Sequence, residues 1–143
     1  MKGSTELSAI VVGYDASPAS SRALAFALRL AGPLGARLFL VHAHERDLQQ
    51  AQPITEEEST SVEEAIATGV ASWAERAAQE GVPLVAVARE RPASTAILSV
   101  AEEVHADLIV VGTRGLRPIV RTVLGSVSAD VLARSRTPVV VVP

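Results

Sequence analysis

The sequence predicts an α/β fold, a single doubly wound parallel sheet of five strands in the order 3-2-1-4-5 with four helices. Three observations carry that expectation. Short apolar runs rich in Val, Ile and Leu alternate with segments of helical periodicity from end to end. The runs are continuous instead of alternating, which marks strands buried on both faces. The chain has 143 residues, 48% hydrophobic and 20% charged, enough for one domain with a sizeable core. Residues 1–7 read as a flexible N-terminus and 8–143 as the domain.

Each element has its own signal. "AIVVGY" (9–14) is the first strand. In "SPASSRALAFALRLAGPLG", Ser17 is placed to cap a helix, Pro18 to occupy its first turn and Gly32-Pro33 to close it. "ARLFLVHA" (36–43) is the second strand, and "HERDLQQAQPI" a polar loop. From Glu56 to Glu80, the residues Val62, Ile66, Val70, Trp73 and Ala77 recur every three or four positions, the stripe of an amphipathic helix. The run Glu56-Glu57-Glu58 suits that helix's N-terminus, and Gly81 ends it. "PLVAVARE" is the third strand. "PASTAILSVAEEVH" is a third helix begun by Pro92, with His105 near its end, where a cation suits the dipole. "DLIVVGT" is the fourth strand. A helix from about Ser126 to Arg134 and the strand "PVVVVP" complete the alternation.

Composition removes several function classes. Aromatic residues are only 3%, so the core is aliphatic and there are few rings for nucleic-acid bases to stack on. A net charge of −3 gives no global basic field for nucleic acid or anionic membrane. The absence of cysteine excludes disulfides, thiol nucleophiles and Cys-zinc sites. The apolar runs are too short or too broken for a signal peptide or a membrane span, and the chain reads as cytoplasmic. Lys2 is the only lysine, in the N-terminal stretch expected to be flexible, which rules out a Walker-type P-loop, a Schiff base and a lysine-dependent phosphoacceptor site. No nucleophile elbow, dinucleotide fingerprint or Ser-His-Asp order is present, so no catalytic residue is assigned. His42 and His44 share one side of a strand but lack a third ligand. They read as a core histidine and a loop histidine, and no metal site is assigned.

The informative stretch is "VVGTRGLRPIVRTVLGSVSADVLA" (110–133). In a doubly wound sheet the ligand crevice opens at the carboxyl ends of the strands, where the winding direction reverses. Here that point lies between strands one and four, which end at Asp15 and Gly112. Glycine lets backbone N–H groups approach an anion closely. A helix opening at Gly125-Ser126 offers unpartnered N–H groups and the positive end of its dipole. The Ser126 hydroxyl either caps that helix or binds the anion. Arg114, Arg117 and Arg121 raise the local potential, with no Asp or Glu from residue 108 to 129. Taken singly, each glycine also has an ordinary reading as a strand end, a turn or a helix start. Asp15 likewise either contacts a ligand or begins the turn into the first helix.

Together these residues resemble the universal stress protein family, over about residues 8–143. The resemblance rests on Gly112-x2-Gly115-x9-Gly125-Ser126, the family's nucleotide-binding signature, set between "DLIVVG" and "GSVSADVLARSRTPVVVVP". "IVVGYDASPAS" is similar to the family's first strand and helix start. The resemblance implies a Rossmann-like fold of the adenine nucleotide alpha hydrolase-like kind and the ATP-binding branch of the family. ATP with Mg2+ or Mn2+ is the implied cofactor, and cyclic AMP the alternative ligand. Gly112 and Gly115 are expected close to the ribose and phosphates, and Gly125, Ser126 and Val127 around the distal phosphates. Asp15 is expected near the ribose, and Ala43 to offer backbone to the adenine. Gly13, Val111 and Arg114 complete the implied cofactor-binding set. A homodimer through the 138–143 strand is implied as well, which would cover an apolar edge. The implied function is a nucleotide-dependent regulatory module of the stress response; the alternative is a weak ATPase or autophosphorylating protein. Three positions depart from the family pattern. Ala16 stands where glycine is frequent and is expected to shift its loop, Pro118 stiffens the arginine loop, and Arg91 precedes Pro92 where glycine is usual.

Overall fold

In a computed structural model the protein is described over residues 7–43, 56–113 and 124–143, the side chains of 56–60 excepted. The elements are β1 (Ala9–Gly13), α1 (Pro18–Leu34), β2 (Arg37–Ala43), α2 (Glu56–Gln79), β3 (Leu84–Arg89), α3 (Ala93–Glu103), β4 (Leu108–Gly112), α4 (Ser126–Arg134) and β5 (Val139–Val142). The sheet order is β3-β2-β1-β4-β5 with every neighbouring pair parallel, as the alternation predicts. Residues 1–6, the polar loop after β2, and the loop carrying Arg114, Gly115, Arg117, Pro118 and Arg121 lie outside the described residues. No helix among the described residues is long and apolar enough to cross a membrane.

Successive side chains of a strand point to opposite faces, so each strand feeds two apolar layers. On one face Ile10, Val12, Leu38, Leu40 and Val110 pack against α1 and α2, largely through Ala23, Leu24, Ala27 and Leu28. On the other, Val11, Val41, Ile109 and Val111 pack against Ala96, Ile97 and Val100 of α3 and Val131 of α4. Both faces are covered, which is why the strands read as unbroken apolar runs. At their amino ends β1 and β4 are fastened by Asp107. Its Oδ2 accepts from the backbone N–H of Ser8 at 2.8 Å, the Ser8 hydroxyl at 3.1 Å and the Ala9 N–H at 3.1 Å.

The helix ends follow one rule with one surprise. α1 begins as predicted, with Ser17 as cap and Pro18 in its first turn. It does not close at Gly32-Pro33 but runs on through Pro33 to Leu34. A proline in the last turn forfeits little, and what ends a helix is the residue able to turn left-handed. That residue is Gly35, at φ 65°, with the Ala36 N–H reaching back to the Ala31 carbonyl at 3.0 Å. Gly81, at φ 71°, ends α2 in the same way, its follower Val82 bonding the Ala77 carbonyl at 2.9 Å. In α3 the left-handed position falls to His105, at φ 52°, and Ala106 bonds the Ala101 carbonyl at 2.8 Å. The part the structure gives His105 is therefore a backbone one, that of the helix-ending residue.

The stripe on α2 is real but graded. Ile66 and Ala77 are buried, Val70 and Trp73 partly so, and Val62 is 38% exposed. The Arg76 guanidinium lies over the Trp73 ring, 4.9 Å from its centroid. Between these positions Gly69 forms a notch filled by the Tyr14 phenol, where any Cβ would collide with the hydroxyl. Burial pushes the Tyr14 pKa up, opposed by hydrogen bonding with Ser21 and Trp73.

Candidate functional site

β1 and β4 pair side by side, Ile10 with Leu108, Val11 with Ile109 and Val12 with Val110, and the winding reverses between them. Three helices start near this carboxyl edge, and their leading N–H groups are met in three different ways. At α1, Asp15 Oδ1 accepts from the Ser17 N–H at 3.0 Å, and Ser17 Oγ accepts from the Ser20 N–H at 3.1 Å. The Ser20 hydroxyl donates to the Ser17 carbonyl at 3.0 Å and accepts from the Asp15 N–H at 3.3 Å, so this start is closed on itself.

At α3 the cap position is Pro92, whose side chain can accept nothing. Another helix supplies the partner. Ser94, only 9% exposed, donates its hydroxyl to Asp130 Oδ2 at 2.5 Å, which brings a carboxylate to the positive end of α3. Arg134 Nη1 donates to the same oxygen at 2.7 Å. The Ser94 hydroxyl and the Arg134 guanidinium hold the Asp130 carboxyl below the usual carboxylate range.

At α4 nothing comparable is found among the described residues. Gly125 occupies the cap position at φ −61° and ψ 159°, without a side-chain cap, and the first turn contains no acid. The helix is held from below instead. Gly125 N–H donates to the Thr113 carbonyl at 2.6 Å. The Ser128 hydroxyl, 2% exposed as a residue, donates towards the carbonyls of Gly125 at 3.0 Å and Thr113 at 3.3 Å. Among the described residues, no side-chain acceptor meets the amides of this first turn, which lies beside the strand ends, and this is the arrangement that suits an anion. Ser126 is the first helical residue, so its hydroxyl is not the cap.

The structure brings together Gly13 at the end of β1, Val111 and Gly112 at the end of β4, and Gly125, Ser126 and Val127 at the start of α4. Asp15 follows β1 by two residues, and Ala43 ends β2 opposite Arg89. The Val111 side chain is buried in the α3–α4 layer, so it serves that face of the core. Gly112 has a packing reason of its own: a Cβ there would lie 2.7 Å from the Ala19 carbonyl carbon and 2.8 Å from its oxygen. The missing side chain lets the first turn of α1 close over the end of β4. At Gly13 a Cβ would meet the buried side-chain tip of Ile97, 2.6 Å away. Arg114 and Gly115 are outside the described residues.

The departures are informative as well. Ala16 sits at φ 66°, the left-handed region, which explains why glycine suits the position. Ala16→Gly is expected to raise stability by about 1 kcal/mol, the relieved strain less the added freedom of the unfolded chain. A urea midpoint unchanged or lowered would show that the turn carries no such strain. Arg91 is laid back along α3, its Nη1 donating to Ser99 Oγ at 3.2 Å. His42 is half-buried, and among the described residues no group of three or more His, Asp or Glu is placed to hold a metal ion. Sequence reasoning missed Ser94, Ser128, Asp130 and Arg134. Ser128 lay within the glycine-arginine stretch and could have been read there as a first-turn hydroxyl, whereas the contact between Ser94 and Asp130 spans 36 residues and leaves no local signal.

A parallel sheet wound both ways from its centre, with one helix start at the reversal uncapped among the described residues, defines a crevice-forming α/β protein. The chain belongs to the universal stress protein family, which it matches over residues 7–143. It is 37% identical over 140 residues to a universal stress protein of Thermus aquaticus, across 93% of this chain and 96% of that one. Among solved structures it is similar to a universal stress protein in complex with cAMP, at 29% identity and TM-score 0.71 over 96% of this chain and 98% of that chain. It is also similar to the universal stress protein from Archaeoglobus fulgidus in complex with dAMP, at 25% identity and TM-score 0.68 over 95% and 98%.

Proposed function

We propose that the protein is an adenine-nucleotide-binding regulatory module of the stress response, with ATP as its ligand. The observation that carries this reading is the open start of α4 beside the β1–β4 crevice, when the starts of α1 and α3 are both met by side chains. In this reading the amides of Ser126 and Val127 receive the distal phosphates, the Ser126 hydroxyl adds a donor, and the helix dipole favours the charge. Asp15 holds the Ser17 N–H through Oδ1 and turns Oδ2 to a ribose hydroxyl, or to the Mg2+ or Mn2+ that accompanies the phosphates. The backbone at Ala43 meets the adenine. Gly13, Val111 and Gly112 form the floor, and Arg114 and Gly115 belong to the same nucleotide-binding set by the glycine signature.

The bound cAMP and dAMP of two similar structures support an adenine nucleotide, and the glycine spacing favours ATP. β5 is an edge strand whose four valines are all half-buried, a surface that a second copy would cover, so the protein acts as a homodimer through residues 138–143. The lack of cysteine fits a cytoplasmic setting. Calorimetric titration tests the reading. Mg-ATP is expected to bind at least tenfold more tightly than adenosine, because the phosphates make the helix contacts. Tighter binding of cyclic AMP than of ATP would exchange the ligand, and no heat with any adenine nucleotide would remove the function.

A further inference from the structure

We infer that Ser94, Asp130 and Arg134 are positioning residues that aim the first-turn amides of α4 at the phosphates, an assignment resting on the nucleotide reading above. α4 has nine residues, and only Ser128 and Val131 among them are buried. A helix this short is marginal by itself, and two buried side chains give packing little hold on its direction. Val127 adds only a partly buried contact, so polar contacts share in setting its tilt. Ser128 ties the helix to the end of β4, which leaves it free to swing about that attachment. Asp130, two residues further on, ties it to α3 through the largely buried Ser94 hydroxyl.

Arg134, one turn beyond Asp130, holds the same carboxylate oxygen and reaches Thr95 Oγ1 at 3.5 Å, so the contact with α3 extends over two residues of that helix. Ser126 and Asp130 are four residues apart and lie on one stripe of α4. A tilt at Asp130 is thus passed to the first turn, where hydrogen bonds to an anion depend on angle as well as distance. The bridge has an electrostatic side too. With Asp130 engaged by Ser94 and Arg134, its charge is turned to α3 and away from an incoming phosphate.

Calorimetry of folded variants against Mg-ATP and adenosine tests the assignment. Ser94→Ala and Asp130→Asn are expected to weaken ATP binding about tenfold while adenosine stays within twofold, and Ser94→Thr, which keeps the hydroxyl, to bind as wild type. Unchanged ATP affinity in the first two variants overturns the assignment. So does an equal loss for ATP and adenosine, which would mean general damage to the domain. Wild-type protein that takes up no ATP would instead sink the nucleotide reading. Where Ser94→Ala does not fold, Arg134→Gln alters an exposed side chain on the same carboxylate, and undiminished ATP affinity there counts equally against the bridge.

Discussion

Gly112→Val is expected to leave the chain unfolded, and Gly112→Ala to cost about 3 kcal/mol of stability, at the upper end for an overpacked core. The first added carbon would stand 2.7, 2.8 and 2.9 Å from the carbonyl carbon, carbonyl oxygen and Cβ of Ala19. Those are atoms of the helix itself, with no flexible tip to swing aside. Neither neighbour yields easily. Ala19 lies in the turn locked by Asp15, Ser17 and Ser20, and Gly112 is paired in register with Val142. Valine adds two more carbons to the same space, and a domain holds only about 5–15 kcal/mol in total. Urea unfolding measures the effect. An alanine variant as stable as the wild type would mean that α1 can withdraw from the sheet. It follows that lost nucleotide binding in a Gly112 variant is not, by itself, evidence of ligand contact.

Ser126→Pro is the cleaner probe of the crevice: ATP affinity should fall tenfold or more with the fold intact. Proline is welcome at the first position of a helix when the residue before it is extended. This molecule already uses that arrangement. Pro18 follows Ser17 at φ −73° and ψ 158°, and Ser126 follows Gly125 at φ −61° and ψ 159°. The substitution removes one backbone donor and one hydroxyl from the proposed phosphate site. Ser126→Ala, which removes the hydroxyl alone, should lose only a few-fold, and the difference reports the amide. If Ser126→Pro binds ATP as the wild type does, the α4 amides are not where the phosphates sit.

Most of the fold was legible because the signals were local. Ser17 and Gly81 announced a helix start and a helix end, and unbroken β-branched runs announced strands covered on both faces. The miss at Gly32-Pro33 has a simple cause: three candidate breakers lie within four residues, and only the backbone angle shows that Gly35 is the one that turns. The site was legible in outline and less so in reason. Gly112 stood out by spacing, yet its closest constraint is the distant Ala19, which no spacing reveals. The Ser94–Asp130–Arg134 bridge was hidden for the same reason, since serine, aspartate and arginine on helices ordinarily read as solvent-facing residues.

The packing of Tyr14 against Gly69 and Trp73 also equips the protein with an optical signal. The chain has one tyrosine and one tryptophan, which belong to one apolar layer, and Tyr14 immediately precedes Asp15. Excitation of the phenol passes to the indole at that range, and emission from a single fluorophore is free of background from others. If the proposed nucleotide settles against Asp15, its binding is expected to change the intrinsic fluorescence, with no label attached.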